Sequence, residues 1–366
     1  VSASCRLALL AAVTLLAVLA SCAVGAIAAR AQHDRRVFFG TVSDHAFAAD
    51  TDAQAAYLTE QSAAGVRVLR QAFRWQDLEP EPGLFMLRDT DRFVLAAAIH
   101  GIDVLPVLFG EPSWATSRPP ANMSRSAFAP RRASMLAPLA RLVAERYGPR
   151  GTLWAEHPAA PRRPVTHVQV WNEPNTDAYW GDRPDAHEYA AMLRAVAGAL
   201  RAGGVRVLAA GLPTSRHGVK PSVYLRALLR AGARRHLDAI AAHPYAASIE
   251  GVLRQVAGLR AVLPASMRAT ALWVTELGWG TGGPRASGRT VDPAAQARLV
   301  QAAMLSLWRV RHSHRVAGVI YYAWRDAPVH PGGRDYWGLY TGLVAADGSP
   351  KPALAAFAQA ARLGGR

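Results

Sequence analysis

Between residues 37 and 363 a short β-type run is followed, eight times over, by an Ala/Leu/Arg-rich stretch with helical periodicity. The runs are VFFGT (37–41), VRVLRQA (66–72), IDVLPVL (102–108), HVQVW (167–171), VRVLAAG (205–211), LDAIAAH (237–243), ALWVTE (271–276) and VAGVIYYAW (316–324). The helical stretches cover 52–64, 90–100, 132–147, 185–202, 221–233, 247–263, 293–311 and 351–363. Helix-start signals stand at Asp89–Asp91 and Asp292, and Gly65, Gly101 and Gly204 each come just before a strand. Such alternation predicts a parallel sheet, and eight units of it predict a single closed (β/α)8 TIM barrel over residues 31–366. An open doubly wound sheet is the competitor. It would carry a glycine-rich phosphate loop after its first strand, and GTVSDH after Phe39 is not G-x-G-x-x-G. Two irregular segments, 112–131 and 325–338, follow strands, so on a barrel both lie at the mouth.

Residues 1–30 are set apart from this pattern. The run 7–29 has no charge and is flanked by Arg6 and Arg30. It reads as a secretory signal with a small-residue cleavage site at Ala29–Ala31, or as a span of about 20 residues. The stretch Leu19–Cys22 is similar to a bacterial lipobox, which adds a lipid anchor to the readings. A buried core helix is the remaining reading, and the lack of a polar face counts against it. The expected location is extracellular or in the cell envelope. Cys5 and Cys22 both fall in this segment, so the body has neither a disulfide framework nor a thiolate metal site.

The net charge is +16, and only Lys220 and Lys351 are lysines. An Arg-rich codon bias accounts for this, as does attraction to an acidic polymer or surface. The arginine pairs are scattered rather than massed, which weakens a nucleic-acid reading.

Two barrel strands are expected to end on a glutamate: Glu173 in VWNEPN and Glu276 in LWVTELGWGT. Polar residues at strand C-termini converge on one mouth. Two carboxyls across a glycosidic bond divide the work, one protonating the leaving oxygen and the other attacking the anomeric carbon. WNEP after strand four and TELGW after strand seven resemble the clan of retaining (β/α)8 glycoside hydrolases, with its cellulase-like, mannanase-like and xylosidase-like families. The resemblance covers roughly residues 35–360. It implies Glu173 as general acid/base, Glu276 as nucleophile, and Asn172 on the sugar 2-hydroxyl. It also matches Arg70 to the arginine that holds the nucleophile ionised, with Arg67 and Arg74 as surface charges. In AAHPYA it implies that His243 supports the site and that Tyr245 touches nucleophile or sugar. Trp324, ending strand eight, would stack on the sugar. The raised pKa that an acid needs would come to Glu173 partly from the charge of Glu276.

Trp75, Trp114, Tyr179, Trp180, Trp279 and Trp337 all follow strands, where stacking on pyranose faces and loop packing are both open to them. Glu111 is a third mouth carboxylate and reads as a subsite contact at most. No cofactor is expected, and neither H-E-x-x-H nor a cysteine cluster argues for a metal. The expected partner is an oligosaccharide or polysaccharide substrate. A transglycosylase using the same residues and a non-catalytic envelope glycan-binding barrel are the alternatives. Sugar specificity, exo or endo action and oligomeric state are not encoded legibly.

Overall fold

A computed structural model describes residues 38–116, 127–181, 183–284, 288–329 and 334–364. The sequence-predicted leader over 1–30 lies outside the described residues. Eight parallel strands close on themselves in chain order, each paired with its neighbours and β1 with β8. They are β1 (Phe39–Val42), β2 (Val68–Arg74), β3 (Asp103–Phe109), β4 (His167–Val170), β5 (Arg206–Pro213), β6 (Ala239–His243), β7 (Ala271–Val274) and β8 (Val316–Tyr321). The principal helices are α1 (Thr51–Ala63), α2 (Arg88–Ile99), α3 (Ala137–Tyr147), α4 (Ala186–Ala202), α5 (Pro221–Arg230), α6 (Ile249–Val262), α7 (Pro293–Arg309) and α8 (Pro352–Gly364). One-turn helices at Asp44–Ala48, Trp75–Leu78, Thr152–Glu156 and Asp177–Trp180 were not expected from the sequence, because four or five residues carry no readable period. Among the described residues no helix is long and apolar enough to cross a membrane.

Local chemistry sets the element ends. The Asp50, Asp185, Ser248 and Asp292 side chains accept hydrogen bonds from first-turn amides of α1, α4, α6 and α7. Pro221 and Pro293 open α5 and α7, where a missing N–H costs nothing. Gly65, Gly101 and Gly204 have φ of +91°, +73° and +79°, the left-handed turn that sends a helix end back into a strand.

Strand alternation divides the core in two. Outward residues meet one apolar side chain or more from every helix, among them Leu58, Phe93, Val143 and Phe357. Inward residues Val42, Val68, Leu105, Leu208, Ala239, Ala241, Trp273 and Ile320 form a separate cluster inside the barrel. Trp273 fits because Gly318 faces it: a β-carbon at 318 would lie 2.5 Å from its ring. Gly40 has the same task beside β2, where a β-carbon would fall 2.2 Å from the Val68 carbonyl oxygen.

Lys351 is nine-tenths buried at the start of α8. Its ammonium lies 2.6 Å from Asp326 and donates to Thr281 Oγ1 and the Tyr340 carbonyl. It thereby fastens the loops after β7 and β8 to the helix layer. Burial pushes Asp326 up and Lys351 down from their ordinary values, and their mutual hydrogen bond opposes both shifts.

Gly40→Ala should lower stability by about 1–3 kcal/mol, since backbone rather than a flexible side chain blocks the new methyl. Gly198→Ala in α4, with nothing within 4 Å, should be neutral or stabilising by up to about 1 kcal/mol. Thermal melts of the two variants check the pair, and equal melting temperatures would contradict the described β1–β2 approach.

Candidate active site

The inward positions nearest the C-terminal strand ends are polar: Arg70 on β2, Gln169 on β4, His243 on β6 and Thr275 just past β7. All four are buried. Arg70 is the hub. Its Nε donates to Gln169 Oε1 at 3.1 Å, one terminal nitrogen donates to Asn172 Oδ1 at 2.7 Å, and the other lies 2.7 Å from Glu276 Oε1. The second Glu276 oxygen accepts from the Tyr245 hydroxyl at 2.8 Å. Both oxygens of Glu276 are therefore held by donors, one of them cationic.

Glu173 reaches the same place by a different route. After Val170 the chain leaves β4 through two residues with left-handed backbone, Trp171 (φ +69°) and Glu173 (φ +42°). That region is disfavoured for bulky L side chains. Trp171 is anchored in the outer core, with its indole N–H donating to the Tyr179 carbonyl, while Glu173 is turned toward the barrel axis. Glu173 Oε1 lies 2.7 Å from His243 Nδ1. With the imidazole proton on Nδ1, His243 donates to Glu173 and its Nε2 accepts from the Thr275 hydroxyl at 3.0 Å. Gly211 makes this possible: a β-carbon there would lie 2.0 Å from His243 Nε2.

Burial pushes the Glu173 carboxyl up to about 7, against the lowering influence of Arg70. The sequence expectation that the Glu276 charge supplies part of this rise is corrected, since desolvation is the cause. Burial likewise takes His243 down to about 3, so its imidazole is neutral and its contact with Glu173 is a hydrogen bond rather than an ion pair. Glu173, His243 and Glu276 each place a ligand atom within 4.8 Å of the others, a cluster with the composition of a cation site. The Arg70 guanidinium on Glu276 already supplies the positive charge there.

Six of the seven sequence-predicted site residues come together: Glu173, Glu276, Asn172, Arg70, His243 and Tyr245. Trp324 does not. It is 1% exposed and packed in the outer core, with no ring face open to a ligand. The physical reason is that strand alternation stops short of it. Ile320 points into the barrel, β8 ends at Tyr321, Tyr322 and Ala323 both border the inner cluster, and Trp324 falls in the outer layer. Tyr322 borders the inner cluster, feels the Glu276 charge and hydrogen-bonds Tyr336. Sequence reasoning passed over it, although period-2 counting from Ile320 reaches it one residue past the strand end, beyond which the count no longer holds. Gln169, Thr275 and Gly211 were missed as well.

Among the weaker aromatic candidates, Trp75, Trp180 and Trp279 are buried in loop packing. Trp114 is bound to the Glu79 carbonyl. Trp337 stays half-exposed at the mouth, edge-on to Tyr245 at 5.0 Å, and Tyr179 is half-exposed too. Arg67 and Arg74 are exposed as expected. Glu111 is buried, and both its oxygens accept from the Phe128 amide, so it ties together the two ends of the loop after β3. Burial raises it to about 7.

No protein-family model and no curated protein matches the chain. Solved structures do match. A family 39 glycoside hydrolase from Bacteroides cellulosilyticus WH2 superposes with TM-score 0.63 at 22% identity, over 90% of this chain and 64% of that one. A GH39 enzyme from Xanthomonas axonopodis pv. citri gives 0.62 at 18%, over 89% and 66%. A GH5_18 protein from Streptomyces cattleya, solved in complex with Manβ1-4GlcNAc, gives 0.63 at 18%, over 89% and 80%. The chain thus spans about two thirds of the length of the first two. At these identities the likeness is one of fold: the barrel is the (β/α)8 barrel of these glycoside hydrolases.

The raised Glu173 carboxyl has a consequence for stability that needs no substrate. A group whose folded pKa lies above its unfolded value stabilises the fold fully below the unfolded value, and that contribution is lost as pH rises through the folded one. Wild type should therefore lose stability relative to Glu173→Gln between about pH 4.5 and about pH 7, with the difference level above that. Denaturant titrations of both proteins across this range measure it, and parallel curves would mean that Glu173 is ionised throughout.

Proposed function

We propose that the protein is a retaining O-glycoside hydrolase, with Glu173 as general acid/base and Glu276 as nucleophile. One observation carries the reading: two carboxyl groups with oxygens within 4.8 Å of each other stand in opposite electrostatic settings. Arg70 and Tyr245 hold Glu276 as donors hold an anion, while Glu173 sits against a neutral histidine and is raised to about 7 by burial. Paired carboxyls about 5–5.5 Å apart suit double displacement, whereas inversion needs a wider gap to admit water. The glycoside hydrolases that share the fold add support.

In the first step Glu276 bonds to the anomeric carbon, the bond to the leaving oxygen breaks, and the Glu173 proton goes to that oxygen. In the second, Glu173, now a carboxylate, takes a proton from water as the water oxygen attacks the same carbon and frees Glu276. With Asn172 Oδ1 occupied by Arg70, the Asn172 amide N–H groups are the end left for a sugar hydroxyl. Tyr322, Tyr336 and Trp337 supply aromatic surface around the nucleophile, taking the place first given to Trp324. The substrate is an oligosaccharide or polysaccharide, no cofactor takes part, and action is outside the cytoplasm, in line with the apolar run 7–29.

A screen of aryl glycosides and cell-wall polysaccharides tests the reading, and no turnover of any of them would defeat it. On a substrate with a poor leaving group, Glu173→Ala should slow cleavage by about 10²–10⁴-fold. Activated aryl glycosides should keep their first step, with azide restoring turnover to a product of retained configuration. Glu276→Ala should abolish hydrolysis, and near-wild-type turnover would remove its role as nucleophile. For wild type, kcat/KM on a poor-leaving-group substrate should fall as pH rises through about 7, where Glu173 loses its proton.

A further inference from the structure

At the barrel end opposite the mouth, the C-terminal part of α5, the turn that follows it and the end of α6 enclose a depression of about 640 Å³. Its size falls within the roughly 300–1,000 Å³ of small-ligand sites. Arg194 projects from α4, Arg226 and Arg230 from successive turns of α5, and Arg234 and Arg235 from the turn after Gly232. Its other lining residues are His236 and apolar or glycine residues, so it contains no carboxylate.

Several arginines elsewhere in the barrel are paired with carboxylates. Arg146 grips Asp91 with two nitrogens, Arg163 meets Asp103, and Arg201, next to this depression, grips Asp238 with two nitrogens. The five arginine side chains around the depression make no ion pair or side-chain hydrogen bond among the described residues. Five like charges around one concavity raise each other's energy, and solvent screens this only in part. His236 registers the field: its imidazole is held below the ordinary value, by burial first and then by Arg194, Arg201 and Arg235. A helix C-terminus accounts for Arg230 and not for Arg194, which lies mid-helix. Compositional bias explains how many arginines there are, and leaves unexplained five without a carboxylate among them.

We propose that this depression is a binding site for a phosphate-bearing anion carrying two or more negative charges, separate from the carboxylate pair at the mouth. Guanidinium forks suit phosphate oxygens, and converging forks favour a multiply charged group over a single carboxylate. The apolar floor of Leu229, Val262 and Pro264 would meet whatever carbon chain the phosphate is esterified to.

The test is calorimetric titration of the full chain with tripolyphosphate at low salt. Saturable binding should weaken at least tenfold in Arg230→Glu/Arg234→Glu and stay unchanged in Arg298→Glu/Arg309→Glu, two exposed α7 arginines far from the depression in sequence. Arg230→Gln/Arg234→Gln, with a smaller loss, stands in if the reversal disturbs the circular dichroism spectrum. Co-sedimentation with phosphatidylglycerol vesicles separates the sources. A loss confined to the Arg230/Arg234 variants marks a lipid headgroup, and equal sedimentation of all variants marks a free phosphate ester. Absence of saturable binding in wild type in both arms, or equal weakening by the α7 pair, overturns the proposal. Neither outcome bears on glycoside cleavage, which the mouth variants test separately.

Discussion

Arg70 is a cation nine-tenths buried in the barrel, and the mouth is arranged around the need to satisfy it. A buried guanidinium without partners would cost several kcal/mol. Its three nitrogens are taken by Gln169, Asn172 and Glu276, so a single side chain from β2 ties β4 to the end of β7. It also sorts the carboxyls. One buried positive charge balances one carboxylate, and the geometry gives that place to Glu276. Glu173 and His243 are left in a desolvated space where the neutral form of each is favoured. The different settings of the two carboxyls thus follow from which of them the guanidinium touches.

Much of this was legible in the sequence, because it rests on patterns that repeat. All eight strand runs and all eight helical stretches recur within a few residues of their expected bounds, since apolar periodicity and capping residues specify them locally. The two glutamates were legible because each ends an apolar run, and Arg70 only through the resemblance of VRVLRQAFRW to the second strand of the glycoside hydrolase clan. Trp324 was misplaced because period-2 counting puts it on the same side as Tyr322, and only the end of β8 at Tyr321 parts the two. Gly211 was unreadable as a site residue. Its contribution is the volume it leaves for a histidine more than thirty residues further along the chain. The source of the Glu173 shift was unreadable as well, because desolvation depends on the whole enclosure rather than on any neighbour in sequence.

Arginine, so abundant that it first reads as noise, has several distinct placements. One is the buried hub. Others are struts at the strand starts, where Arg163 and Arg201 meet Asp103 and Asp238. The two lysines are not interchangeable with them. Lys351 reaches three oxygens from three segments around a compact ammonium, a geometry that a planar fork does not match.

The left-handed backbone at Glu173 sets local preference against chemistry. Glycine or asparagine would occupy that φ more comfortably than glutamate does. Glutamate there is held by its surroundings, by the anchored Trp171 before it and the His243 contact beyond it. A chain drifting without selection on its mouth would be drawn toward smaller residues at position 173, gaining firmness as it lost the carboxyl that the proposed mechanism uses as proton donor. The residue found at this position thus records whether a barrel of this kind is still under demand to react.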